Sequence, residues 1–176
     1  MTLTRRQALA GAAAAGVAAA LPGAARADDA EDLAKAALIA VLRLEQTALV
    51  AYEAIANGGV LTSVLRGFLE QERQHAAQLE MALQSMGAKP PIPPRRADIP
   101  RLDSALHSRG GAARFAIDLE MRTVAAYQDA IRDVHDPNLT RTSSGAMGTD
   151  AQQLVVLRRL AGLPPVPRAF ETGRKP

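Results

Sequence analysis

Apolar residues recur along this chain at alternating spacings of three and four, and the pattern is sustained over four stretches long enough to be helices. The first is predicted from Glu31 to Asn57, with Asp28 and Asp29 as acidic capping residues and Asn57-Gly58-Gly59 as the stop. The second runs from a capping pair, Thr62-Ser63, to Gly87, beyond which Pro90-Pro91-Ile92-Pro93-Pro94 cannot continue a helix. The third begins weakly at Asp103-Ser104, is interrupted at Gly110-Gly111 and runs firmly from Ala112 to His135. Asp136-Pro137 marks a turn, and the fourth helix covers Leu139 to Ala161, closed by Gly162 ahead of Pro164-Pro165. The tail to Pro176 has no helical period. The alternation of a β-strand is almost absent, so the class is all-α.

The linker between the second and third helices is long. Its 15 residues, Gly87 to Arg101, could cross the length of a bundle if extended at about 3.3 Å per residue. One long crossover between helices 2 and 3 distinguishes a ferritin-like four-helix bundle from a simple up-and-down one. An internal repeat supports the pairing. Leu44-Glu45 with Tyr52 recurs as Leu119-Glu120 with Tyr127, and Pro90-Pro91-Ile92-Pro93 recurs as Pro164-Pro165-Val166-Pro167. Two copies of a helix pair suggest a duplication, not a solenoid.

Carboxylates stand in the seam where leucines belong. The first helix presents Leu38, Val41, Glu45, Ala48, Tyr52 and Ile55. The third presents Ile117, Glu120, Val124 and Tyr127; the second, Leu65, Leu69, Glu72, His75, Leu79 and Leu83; the fourth, Ala146, Asp150, Gln153 and Leu157. Each helix thus brings one acid toward the core near mid-length. A lone buried carboxylate costs several kcal/mol and tends to take up a proton. Four that converge must be protonated, reached by water, or neutralised by cations. His75, three residues after Glu72, shares its face and offers a nitrogen ligand to the same ion.

Glu45, then Glu72-Arg73-Gln74-His75, then Glu120, on successive helices, resembles the ferritin-like di-iron carboxylate superfamily. The family plan places Glu on two helices and Glu-x-x-His on the other two. The resemblance spans about Leu33 to Leu163. It implies iron or manganese held by Glu45, Glu72, His75 and Glu120, with Asp150 assisting, and at most a weak di-iron-type oxidation or ferroxidase activity. The match is incomplete. The fourth helix should carry a second Glu-x-x-His and reads Asp150-Ala151-Gln152-Gln153 instead, behind a stretch weakened by Ser143, Ser144, Gly145 and Gly148. One ion held firmly and a second held loosely or not at all is the expectation. Tyr52 and Tyr127 read as core residues with wetted hydroxyls.

Charge adds an address. The formal net charge is +3 over 176 residues. Residues 1–27 carry Arg5, Arg6 and Arg26 with no acid, and the remainder balances at 18 basic against 18 acidic residues. Paired arginines, an alanine-rich apolar segment to Leu21 and Ala25-Arg26-Ala27 have the order of an export signal and resemble a twin-arginine (Tat) signal. The expected organisation is therefore a Tat signal peptide over 1–27, a bundle over 28–163 and an extended tail over 164–176. The protein would be handed to the Tat translocase and released to the periplasm or cell envelope of a bacterium.

The neutral remainder and the scarcity of aromatic residues speak against a nucleic-acid partner. With no cysteine there is no disulfide, thiolate ligand or lipid-anchoring cysteine, and no apolar run reaches the ~20 residues of a membrane span. Monomer or homodimer is the expected state, because the tail lacks the further helix of a storage cage. A metal-free bundle, structural or stress-protective as in desiccation-associated members of the superfamily, is the other reading of the same pattern.

Overall fold

The computed structural model describes residues 23–174. Its regular structure is helical, without strands among the described residues. Four long helices, α1 (Gly23–Asn57), α2 (Thr62–Ser85), α4 (Arg109–Asp133) and α5 (Pro137–Leu160), form the bundle, and α3 (Leu102–Ala105) is one short turn between them. Helix α1 packs along α2 and α4, α5 packs along α4, and α2 and α5 meet only briefly. The two hairpins, α1–α2 and α4–α5, are therefore joined mainly through α1 and α4.

Local chemistry corrects four boundaries. Helix α1 begins at Gly23, ahead of the expected Glu31, so Asp28 and Asp29 lie within it and do not cap it. Residues 1–22 of the expected signal lie outside the described residues. At α2, Thr62 does not cap: Leu61 occupies the cap position at φ 54°, and the Thr62 hydroxyl donates to Ala56 O at 3.0 Å. The left-handed backbone at Leu61 costs about 1–2 kcal/mol, which burial of its side chain in the core offsets. Gly110-Gly111 does not interrupt the third long helix but lies in its first turn. Ser108 is the cap, accepting from Gly111 N at 3.0 Å, and a Cβ on Gly111 would sit 3.0 Å from the Ser108 Oγ and 3.3 Å from Ala105 O. Helix α5 runs unbroken through Gly145 and Gly148, with Asp136 accepting from Asn138 N and Leu139 N and Pro137 in the first turn.

The internal repeat extends to the turns as well. After α2, Gly87 (φ 70°) donates to Gln84 O and Ala88 to Leu83 O; after α5, Gly162 (φ 71°) donates to Arg159 O and Leu163 to Arg158 O. Neither prolyl segment that follows continues the helix. The crossover is held by Gln46, whose Nε2 donates to Pro91 O at 3.0 Å, and then buries Ile99 and Leu102.

The tail is held by a buried ion pair, Arg158 Nη2 to Glu171 Oε2 at 2.7 Å, and by Gln128 Nε2 donating to Glu171 O at 3.2 Å. Arg158 holds the Glu171 carboxyl below its ordinary range against the opposing effect of burial. Gly173 seals the closure: a Cβ there would lie 2.0 Å from Met121 O. Glu171→Ala strands the Arg158 guanidinium and should cost about 2–4 kcal/mol, read as a lower urea midpoint with unchanged slope. Gly173→Ala should detach the tail, read as faster proteolysis after Leu163.

Two apolar clusters fill the bundle. One is built on Tyr52, Ile55, Leu65, Leu102, Leu119, Leu154 and Leu157; the other on Leu38, Val41, Leu42, Leu79, Leu83 and Tyr127. Between them lies a layer of acids.

Candidate metal centre

Glu45 on α1, Glu72 on α2, Glu120 on α4 and Asp150 on α5 are all buried, none more than 1% exposed. None snorkels to solvent. His75 is buried beside them, with its Nδ1 3.6 Å from Glu45 Oε1, 3.6 Å from Glu72 Oε2 and 3.4 Å from Asp150 Oδ1. One ligand atom from each of Glu45, Glu72, His75 and Asp150 lies within 4.8 Å of the others. Ligand bonds of about 2.0–2.2 Å to a shared ion would need those atoms only slightly closer together. The structure thus groups Asp150 tightly with His75, beyond the assisting place expected for it. Glu120 stands outside this tight group.

Two residues of the layer are bonded in a way that periodicity did not foresee. The hydroxyls of Tyr52 and Tyr127 are not wetted: both rings are fully buried. Tyr127 on α4 donates to Glu45 Oε1 on α1 at 2.6 Å, and Tyr52 on α1 donates to Glu120 Oε1 on α4. Each tyrosine follows a glutamate by seven residues, two helical turns, and bonds the glutamate of the other hairpin. The i, i+7 spacing in both repeats was the available signal. Gln153 on α5, one turn after Asp150, donates through Nε2 to Glu72 Oε1 at 2.5 Å and to Gln71 Oε1 at 3.1 Å.

These donors leave much of the layer unanswered. Among the described residues, Glu45 Oε2, Glu72 Oε2, Glu120 Oε2, both Asp150 oxygens and His75 Nδ1 are buried with no hydrogen-bond partner. Orphaned buried polar atoms of this kind normally cost about 1–3 kcal/mol each, more if charged.

Without a cation the layer must rearrange its protons. Burial pushes the Glu45 carboxyl up to about 8, helped by the Glu72 carboxyl beside it. Burial, with the charge of its acidic neighbours, holds Glu120 and Asp150 well above the usual carboxylate range. Glu72 also feels burial, but the Glu45 carboxyl and His75 beside it outweigh that and bring its carboxyl below the ordinary value. His75 is opposed by burial yet rises to about 10 beside the Glu45 and Glu72 carboxyls. Burial pushes both tyrosines up, so they remain donors. The metal-free layer is therefore one Glu72–His75 ion pair among protonated acids. It is a set of oxygen donors and one imidazole grouped closely enough to hold a metal ion.

Comparison with known proteins agrees. A family model described as a ferritin-like domain matches residues 36–163. This chain belongs to the ferritin-like family. Among solved structures, its ferritin-like bundle is similar to the crystal structure of a conserved hypothetical protein, rv2844, from Mycobacterium tuberculosis. The TM-score is 0.64 at 19% identity, over 81% of this chain and 98% of that one. At that identity the likeness is one of fold. None of the curated proteins matches the sequence.

Proposed function

We propose that this ferritin-like protein binds a transition metal, iron or manganese, in the acid layer at the centre of its bundle. The observation that carries the reading is the convergence of Glu45, Glu72, His75 and Asp150, buried from three different helices with their ligand atoms unshielded by protein donors. A cation at their meeting point would answer these orphaned atoms together. Glu120 and its donor Tyr52 complete the layer on the remaining helix.

A bound iron or manganese ion supplies Lewis-acid and one-electron redox chemistry. The chain's own contribution is to hold the donors apart from water between two apolar clusters, and to fix Glu45 through the Tyr127 hydroxyl. Catalysis is not part of the proposal. The order of residues 1–27 supports Tat-dependent export, and with it a periplasmic or envelope location and loading of the metal before translocation.

The test is metal analysis of protein purified after its native export. Iron or manganese should accompany the wild type and be lost from Glu72→Ala/His75→Ala. A wild type free of transition metal, and unable to take it up when offered, would favour the metal-free structural bundle.

A further inference from the structure

The two hairpins present related positions to the acid layer, but they do not present related chemistry. Repeat-related Glu45 and Glu120 each accept from the other hairpin's tyrosine. The difference lies on α2 and α5, where Glu72 and His75 on one are matched by Asp150 and Gln153 on the other. His75 offers Nδ1, which has no partner, at the meeting point of three carboxylates. Gln153 turns its amide nitrogen the other way. It donates to Glu72 Oε1 and to Gln71 Oε1, and an amide nitrogen, its lone pair delocalised into the carbonyl, gives nothing to a metal; the carbonyl Oε1, the one atom of Gln153 able to ligate, is buried without a partner and is not the atom set against Glu72.

The consequence falls on Glu72. A carboxylate that bridges two ions presents one oxygen to each, and a donor seated against one of them stands where the second ion would approach. Here Oε2 faces His75 without a hydrogen-bond partner, and Oε1 is already taken by the Gln153 amide. Asp150, the acid that would have served a second ion, is drawn into the His75 group, 3.4 Å from its Nδ1. Glu120 is left with its tyrosine and outside that group.

We infer that the bundle holds a single-ion centre at Glu45, Glu72, His75 and Asp150, with the Gln153 amide hydrogen-bonded to Glu72 in the place of a second cation. This rests on the metal-binding reading above and narrows it. The inference treats Gln153 as a donor that blocks a bridge, not as a ligand, and that distinction can be tested.

The experiment is equilibrium dialysis of the purified full chain against Mn2+ under anaerobic conditions, followed by metal analysis and electron paramagnetic resonance. The wild type should retain one equivalent, with the six-line spectrum of an isolated ion. Gln153→His should gain a second equivalent and the broadened, exchange-coupled spectrum of a pair. Gln153→Ala, which opens Glu72 Oε1 without adding a ligand, should keep the first equivalent with the isolated-ion spectrum; circular dichroism confirms that both variants are folded. Two tightly held equivalents in the wild type overturn the single-ion inference while leaving the metal reading standing. No bound manganese in any variant overturns both. Loss of the first ion in a folded Gln153→Ala variant would make Gln153 a ligand and overturn its assigned role, as would a folded Gln153→His variant that stays at one equivalent.

Discussion

Mn2+ or Fe2+ at a thousandfold excess over its dissociation constant should raise the melting temperature by roughly 8–16 °C, since such an excess is worth about 4 kcal/mol to a domain of this size. The gain is large because the unfolded chain has nothing comparable to offer. Glu45, Glu72 with His75, and Asp150 stand on three helices and are far apart in sequence, so folding alone assembles them. The ion also answers oxygen and nitrogen atoms that are otherwise buried without partners. In Glu72→Ala/His75→Ala the shift should vanish, and a chelator should return the wild type to its metal-free melting point. Calorimetry with and without metal decides it. A shift that survives in the double variant would place the ion elsewhere.

The metal-free protein should behave in the opposite sense, because its acid layer is then a burden. Glu45 titrates near 8 when folded against an ordinary 4.5, so folding holds a proton that the unfolded chain releases, and stability falls as pH rises across that interval. His75 titrates near 10 against 6.5; its contribution is fully present below 6.5 and is lost as pH rises through 10. Glu72 runs the other way. Its carboxyl lies below the ordinary value, so its contribution is present above 4.5 and is lost as pH falls through the folded value. Stability should therefore peak near about pH 5–6 and decline on the alkaline side by several kcal/mol.

Asp150→Asn removes an acid that burial and the charges of Glu45, Glu120 and Glu72 hold well above its usual range. In chelator it should stabilise the protein at about pH 8 by roughly 1–3 kcal/mol, and it should also abolish most of the gain from metal. Urea melts at mildly acid and mildly alkaline pH, with and without chelator, read both effects. A metal-free Asp150→Asn protein less stable than wild type at alkaline pH would show that Asp150 makes favourable contacts of its own.

The seam was legible in the sequence because an amphipathic helix leaves a simple record. Leu38, Val41, Glu45, Ala48, Tyr52 and Ile55 follow the three–four spacing and all are buried, as are Leu65, Leu69, Glu72, His75, Leu79 and Leu83 on α2. A glutamate within such a stripe announces a site. Spacing says which face of a helix a residue occupies; it does not say how side chains cross between helices. The Tyr52–Glu120 and Tyr127–Glu45 bonds, the shift of Asp150 toward His75, and the Gln153 contact with Glu72 all depend on the relative placement of helices distant in the chain. Boundaries were misread for a related reason. Gly110-Gly111 looks like a break until Ser108 is seen to cap the turn that contains it, and Thr62 looks like a cap until Leu61 is seen to need burial.

The crossed tyrosine–glutamate bonds bear on the origin of the molecule. Each hairpin supplies the hydroxyl that the other hairpin's glutamate requires, so one hairpin alone is half of a reciprocal pair. A half-length ancestor would have had to meet its own twin, and in such a pair every substitution appears twice. A twin pair cannot hold histidine on one side of its centre and glutamine on the other. A tandem chain can, and this one does at His75 and Gln153. Within one chain, joined by the proline-rich crossover, the two sides are free to differ, and the centre is lopsided.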